Sequence, residues 1–145
     1  MTQPAPLPSL FGRFTAVLRD HEHLGTSLKE LRAMCSALEA QRSWPEAPRL
    51  LEDLRAELSV HFSAEEADSY FGTIVEESPS LAPRIGQLKQ EHESMLVALV
   101  ALGLLADDAT RATELARAAR LLIAELERHE RAESQLIAEL LGHSR

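Results

Sequence analysis

Residues 122–136 read LIAELERHERAESQL. Leu122, Leu126, His129, Glu133 and Leu136 recur in it at alternating four- and three-residue steps, so they share one face of a helix. Leu115 and Leu140 extend that stripe to either side. A stripe of this kind packs on the rest of the protein and should be apolar. Two of its members are an imidazole and a carboxylate. A glutamate is almost never buried without a partner, and taking a charge out of water costs several kcal/mol per ion.

The same anomaly occurs earlier in the chain. Residues 54–65 read LRAELSVHFSAE, in which His61 follows Leu54 and Leu58, and Glu65 comes four residues later. His21 falls among Val17, Leu18 and Leu24, and His92 falls between Leu88 and Met95. The chain thus repeats itself: His21 then His61-x-x-x-Glu65, and His92 then His129-x-x-x-Glu133. The context repeats as well, with Asp20-His21-Glu22 against Glu91-His92-Glu93.

Periodicity predicts four helices, over about 10–41, 45–75, 83–106 and 110–141. In the first, Phe14, Val17, Leu24, Leu28, Leu31, Cys35 and Leu38 form the stripe. Leu51, Phe62 and Phe71 belong to the second, and Ile85, Leu88, Met95, Leu99 and Leu102 mark the third. Ser43 with Glu46 reads as a capping box for the second helix. The Ser78–Pro83 stretch reads as a break, Asp107 and Asp108 as a stop and cap, and Gly142 as a C-terminal stop. Short connections favour antiparallel neighbours, so the expected fold is all-α: an up-down-up-down four-helix bundle in one domain. Residues 1–9, with Pro4, Pro6 and Pro8, are expected to form an N-terminal arm, and 10–145 the bundle.

Composition agrees. Aromatics make up only 4% of the 145 residues, which starves strands of their preferred side chains. The net charge of −8 repels a phosphate backbone, so nucleic acid is not expected as a partner. No apolar stretch is long enough to span a bilayer, and Met1–Leu10 lacks the marks of a secretory signal. Cys35 is the lone cysteine, so no intrachain disulfide can form. The cytoplasm is the expected compartment.

On helices, residues four apart lie one turn above each other, so each His-x-x-x-Glu pair offers a nitrogen and an oxygen to one centre. His21, His61, Glu65, His92, His129 and Glu133 then converge from all four helices inside the bundle. No lysine or arginine on these stripes compensates the carboxylates, whereas a cation wants neutral imidazole and ionised carboxylate together. Four imidazoles and two carboxylates exceed the needs of one ion and suit two. His23 and His143 read as surface groups, as do Glu66 and Glu130, which point about 100° away from their neighbouring ligands. Either glutamate can still swing in as an extra oxygen donor, and His23 is the substitute ligand if the register is shifted. Met95 reads as a pocket wall and Cys35 as core filling. Trp44 should pin the first interhelix loop, and Tyr70 and Phe71 should pack near one end.

This pattern, from His21 to Glu133, resembles the hemerythrin-like domain, the HHE cation-binding family. The resemblance implies two iron ions with an oxo or hydroxo bridge. His21 and His61 would serve one ion, His92 and His129 the other, and Glu65 and Glu133 would bridge them. The implied partner is O2 or another small ligand such as nitric oxide or peroxide, bound or sensed at the site; the alternative is a di-iron enzyme that reduces peroxide or nitric oxide or acts as a ferroxidase. Two positions differ from the oxygen carriers: Leu96 stands where their third helix has a further histidine, and Glu133 where their last helix has an aspartate. The chain is closer to bacterial and regulatory members, with responses to O2, nitric oxide, peroxide or iron level expected. The ferritin-like bundles are a poorer match, because they carry Glu-x-x-His rather than His-x-x-x-Glu.

Overall fold

Four long helices carry the sequence stripes described above. A computed structural model describes the backbone of residues 7–142 and the side chains of 22–67 and 70–142. Helix α1 spans Leu7–Glu39 and α2 spans Ala47–Glu66. A π-helical turn over Asp68–Gly72 then leads into the short α3, Thr73–Glu77. A 3-10 turn, Pro79–Leu81, precedes α4, Ala82–Ala106, and another, Ala109–Arg111, precedes α5, Ala112–Gly142. The expected arm over 1–9 lies mostly outside the described residues. Among the described residues there is no strand, and no helix is long and apolar enough to cross a membrane.

The long helices pack in a ring: α1 against α2, α2 against α4, α4 against α5, and α5 back against α1. Sequence neighbours are therefore spatial neighbours, as an up-down-up-down bundle requires. The seams follow the spacing of the sequence. On α5 the inward residues include Leu115, Ala119, Leu122, Leu126, His129, Glu133 and Leu136, and on α4 they are Ile85, Leu88, His92, Met95, Leu99 and Leu102. Alternating steps of four and three are the a/d pattern of coiled-coil packing. Each fully buried leucine in these seams contributes about 1.5–3 kcal/mol of apolar burial.

The buried apolar residues fall into two clusters. The larger gathers Leu31, Met34 and Cys35 of α1, Leu51, Leu54, Leu58 and Phe62 of α2, and Met95, Leu99, Leu122 and Leu126 of α4 and α5, among others. The smaller holds Tyr70, Phe71, Ile74, Ile85, Leu88, Leu136 and Ile137. On every helix that contributes to both, the residues between them are histidine or glutamate: His92 between Leu88 and Met95, His129 and Glu133 between Leu126 and Leu136. A polar layer therefore crosses the bundle and divides its core.

Two expectations are corrected. The second helix does not run unbroken to residue 75. Ala67 is extended (φ −62°, ψ 152°), and the chain re-enters through the π-turn. Asp68 and Ser69 follow this break, and short polar side chains of that kind compete with helical hydrogen bonding. The Ser43–Glu46 capping box does not form either. Glu46 is the N-cap residue, and no side chain caps the helix. Pro45 sits in a turn closed by Ala47 N–H donating to the Trp44 carbonyl at 3.0 Å, which leaves Ser43 outside the helix start. The other cap behaves as expected, with Asp108 accepting from the Thr110 backbone N–H at 3.0 Å. Trp44 packs against the larger cluster, and Cys35 is fully buried, its thiol directed at the Ala116 carbonyl.

Candidate metal centre

The polar layer is built from three helices whose side chains are described here. From α2 come His61 and Glu65, from α4 His92, and from α5 His129 and Glu133, all buried and the two glutamates with no exposed surface. Side chains before residue 22 lie outside the described residues, and His21 falls among them. The structure thus brings five of the six expected residues into one layer. It groups them as two overlapping triads, Glu65–His92–His129 and His61–Glu65–Glu133, each with donor atoms within 4.8 Å of one another.

Glu65 belongs to both triads, and its two oxygens divide between them. Oε1 lies 3.1 Å from His92 Nε2, and Oε2 lies 3.4 Å from His61 Nε2. Glu133 Oε2 lies 3.7 Å from His129 Nε2, and its Oε1 accepts from the Tyr70 hydroxyl at 3.4 Å. The Nε2 atoms of His92 and His129 are only 3.1 Å apart. Ring orientation is fixed by packing. The His92 imidazole stacks on Phe62 at 3.9 Å between centroids, with Phe71 lying nearly parallel to it at 5.8 Å.

The outer nitrogens are engaged as well. His92 Nδ1 lies 2.8 Å from Glu66 Oε2, and His129 Nδ1 lies 2.7 Å from Glu91 Oε1. Glu91 was not expected at the site, and Glu66 only as the alternative to a surface charge. Glu66 is partly exposed but is not the idle surface charge its spacing suggested, and Glu91 had no expected role. In an acidic chain, a glutamate beside a ligand gives no sequence signal of its own; the cross-helix partner becomes visible only once α2, α4 and α5 are assembled. His23 is exposed, as its spacing predicts, and Glu130 is half-buried.

The electrostatics follow from burial and neighbours. For Glu65, burial raises the pKa, but the His61 and His92 imidazoles outweigh it and hold the carboxyl at about 2. His129 is lowered, chiefly by burial, with Glu91 pulling the other way. Burial also raises Glu91, yet the bonds from His129 and Gln87 leave it below the ordinary carboxylate value. Tyr70 is pushed well above its ordinary value by burial and by the Glu65 charge.

These residues fit a cation. Both oxygens of Glu65 are buried and lack a hydrogen bond of acceptable geometry, although imidazole nitrogens lie close by. A buried acceptor left in this state costs about 1–3 kcal/mol, and more when charged. A metal ion supplies what the layer lacks, since imidazole nitrogen and carboxylate oxygen suit iron, zinc and manganese alike. Cys35 lies in the larger apolar cluster rather than in the polar layer, so no thiolate enters the donor set.

A family model of the hemerythrin HHE cation-binding domain matches residues 14–141. The chain belongs to the hemerythrin HHE cation-binding family. Membership makes it a cation-binding protein, in a family whose usual metal is iron, and accounts for the helical bundle around a polar layer. Comparison with curated proteins and with solved structures gives no significant match.

Proposed function

We propose that this HHE-family chain holds two iron ions in the polar layer and there binds or senses O2 or a related small oxidant such as nitric oxide or peroxide. One observation carries the reading. Glu65 lies in both triads with one oxygen directed to each, which is the disposition of a carboxylate shared by two cations. A shared anion screens the repulsion between neighbouring cations. His92 and His129 would serve one ion, and His61 the other, with His21 as its further expected ligand. Glu133 would be the second shared carboxylate.

Bound iron would supply an electron-rich centre for a small oxidant. The protein holds the donors rigid, with Phe62 and Phe71 on the faces of His92, and Leu58, Leu88 and Met95 keep bulk water from the layer. Protein purified from iron-supplied cells should carry about two irons per chain, as in other di-iron bundles. Its near-ultraviolet absorption should change on reduction and again on exposure to O2 or nitric oxide. A folded protein that stays iron-free in iron-rich cells would overturn the reading.

A second reading, an enzyme reducing peroxide or nitric oxide, draws on Tyr70. Its hydroxyl donates to Glu133 at 3.4 Å and so places an O–H beside the centre. Sustained turnover with peroxide that falls on Tyr70→Phe supports this version; stoichiometric reaction alone supports the sensor.

A further inference from the structure

A neutral imidazole carries one proton and can place it on either ring nitrogen, but only the bare nitrogen binds a cation. Its surroundings decide which. An ionised carboxylate can only accept, so Glu66 and Glu91 each require an N–H from the nitrogen they face. That nitrogen is Nδ1 in both rings, at 2.8 Å in His92 and 2.7 Å in His129. Both Nε2 atoms are thereby left bare. They face each other at 3.1 Å, with Glu65 Oε1 at 3.1 Å from His92 Nε2. Three acceptors then converge with no donor among them, an arrangement that repels itself unless a cation lies between.

Each tie crosses from one helix to the next. Glu66 of α2 holds His92 of α4, and Glu91 of α4 holds His129 of α5. Each carboxylate also keeps one side toward solvent, with side-chain exposures of 39% and 32%. They open into separate grooves: one of about 460 Å³ beside Lys89, Leu96 and Val97, the other of about 410 Å³ beside Arg84, Gln87 and Glu139. Water therefore reaches the outer carboxylates, while the imidazoles they hold remain buried.

We propose that Glu66 and Glu91 are positioning residues that fix His92 and His129 as Nδ1–H tautomers, presenting both Nε2 atoms as one preformed pair of metal ligands. The proposal rests on the metal reading above for its purpose, but its structural content can be measured in metal-free protein. A carboxylate behind an imidazole also makes the ring a stronger base, and losing such a partner lowers metal affinity by about 10- to 100-fold.

The test uses the whole chain in six forms: wild type, Glu66→Ala, Glu91→Ala, Glu66→Gln, Glu91→Gln and Glu93→Ala. The last removes a like charge from an exposed position on α4. Long-range proton–nitrogen correlation spectra of metal-free, 15N-labelled protein at about pH 8 read the tautomers, well above the ordinary histidine pKa. Wild type should show Nδ1–H at both rings. Glu66→Ala should mix the tautomers of His92 alone, and Glu91→Ala those of His129 alone. The glutamine variants keep a carbonyl acceptor and should retain the tautomer.

Zn²⁺ competition against a chelator gives the second readout. The alanine variants should lose about 10- to 100-fold in affinity, the glutamines less, and Glu93→Ala nothing comparable. Nε2–H tautomers in wild type, or alanine variants that bind Zn²⁺ as well as Glu93→Ala does, overturn the proposal. Should an alanine variant fail to fold, the wild-type tautomers and the glutamine pair decide the matter alone. Wild-type protein that takes up neither Zn²⁺ nor iron sinks the metal reading, while its tautomers still decide the roles of Glu66 and Glu91.

Discussion

At Glu65 two demands on one side chain oppose each other. Burial favours the neutral acid, while the facing imidazoles His61 and His92 hold the carboxyl ionised down to about pH 2. Acid protonates those imidazoles, displaces any cation, and leaves Glu65 as their counter-ion. Metal should therefore be held at neutral pH and released in acid. His129 resists protonation, chiefly because it is buried and also because a charge on His92 opposes a second one beside it. Chelator-free metal retention against pH checks this, and retention unchanged at pH 4 would contradict it. The second acid step belongs to Glu65. Its folded pKa lies below the unfolded value, so its contribution to stability is complete above about pH 4.5 and is lost as pH falls toward 2. Across that window the urea midpoint of metal-free Glu65→Gln should fall less steeply than that of wild type. Parallel slopes would show that Glu65 is not held ionised by its neighbours.

At the scale of elements, the end of α1 offers a prediction independent of metal. After Glu39 the chain closes with Arg42 N–H donating to the Ala37 carbonyl at 2.8 Å and Gln41 N–H to Leu38 at 3.0 Å. This closure needs a left-handed residue, and Gln41 takes it at φ 60° although glycine is the usual occupant. A side chain in this conformation costs about 1–2 kcal/mol. Gln41→Gly should therefore raise stability by about 1 kcal/mol in urea unfolding, less whatever the freer unfolded chain takes back. A loss of stability would mean that the Gln41 side chain contributes to the loop. The helices themselves were legible because period 3.6 is written into leucine positions, and the His-x-x-x-Glu pairs stood out as polar members of an apolar stripe. Less was legible where structure depends on a partner from another helix. No glycine or proline stands at Ala67 to announce the break after α2. Glu66 read as surface charge and Glu91 had no reading of its own; one edge of each is surface. The other edge meets an imidazole on the next helix.

For the whole molecule, the question is whether the bundle needs its metal to fold. The polar layer separates two apolar clusters, and the larger spans all four long helices on its own. Leu31, Leu51, Leu58, Leu99, Leu122 and Leu126 are each at most 2% exposed within it. Burial at about 1.5–3 kcal/mol per such side chain is supplied whether or not a cation is bound. The smaller cluster is different. It includes Tyr70 and Phe71 from the irregular stretch after Ala67, and it lies beyond a layer of facing acceptors. Removing metal should therefore leave α1, α2, α4 and α5 assembled and loosen that end of the bundle. A ligand held at about 100 times its dissociation constant stabilises the native state by about 2.7 kcal/mol. For a chain near 150 residues, each kcal/mol moves Tm by about 2–4 °C. Stripping with a strong chelator should then lower Tm by several degrees while helical circular dichroism at room temperature persists. Hydrogen exchange should rise first around Tyr70, Ile74 and Ile85 and stay slow around Leu54 and Leu122. Collapse of the whole helical signal on stripping would mean that the larger cluster cannot hold the bundle by itself. Exchange unchanged at both ends would mean that the layer between them is not where metal acts.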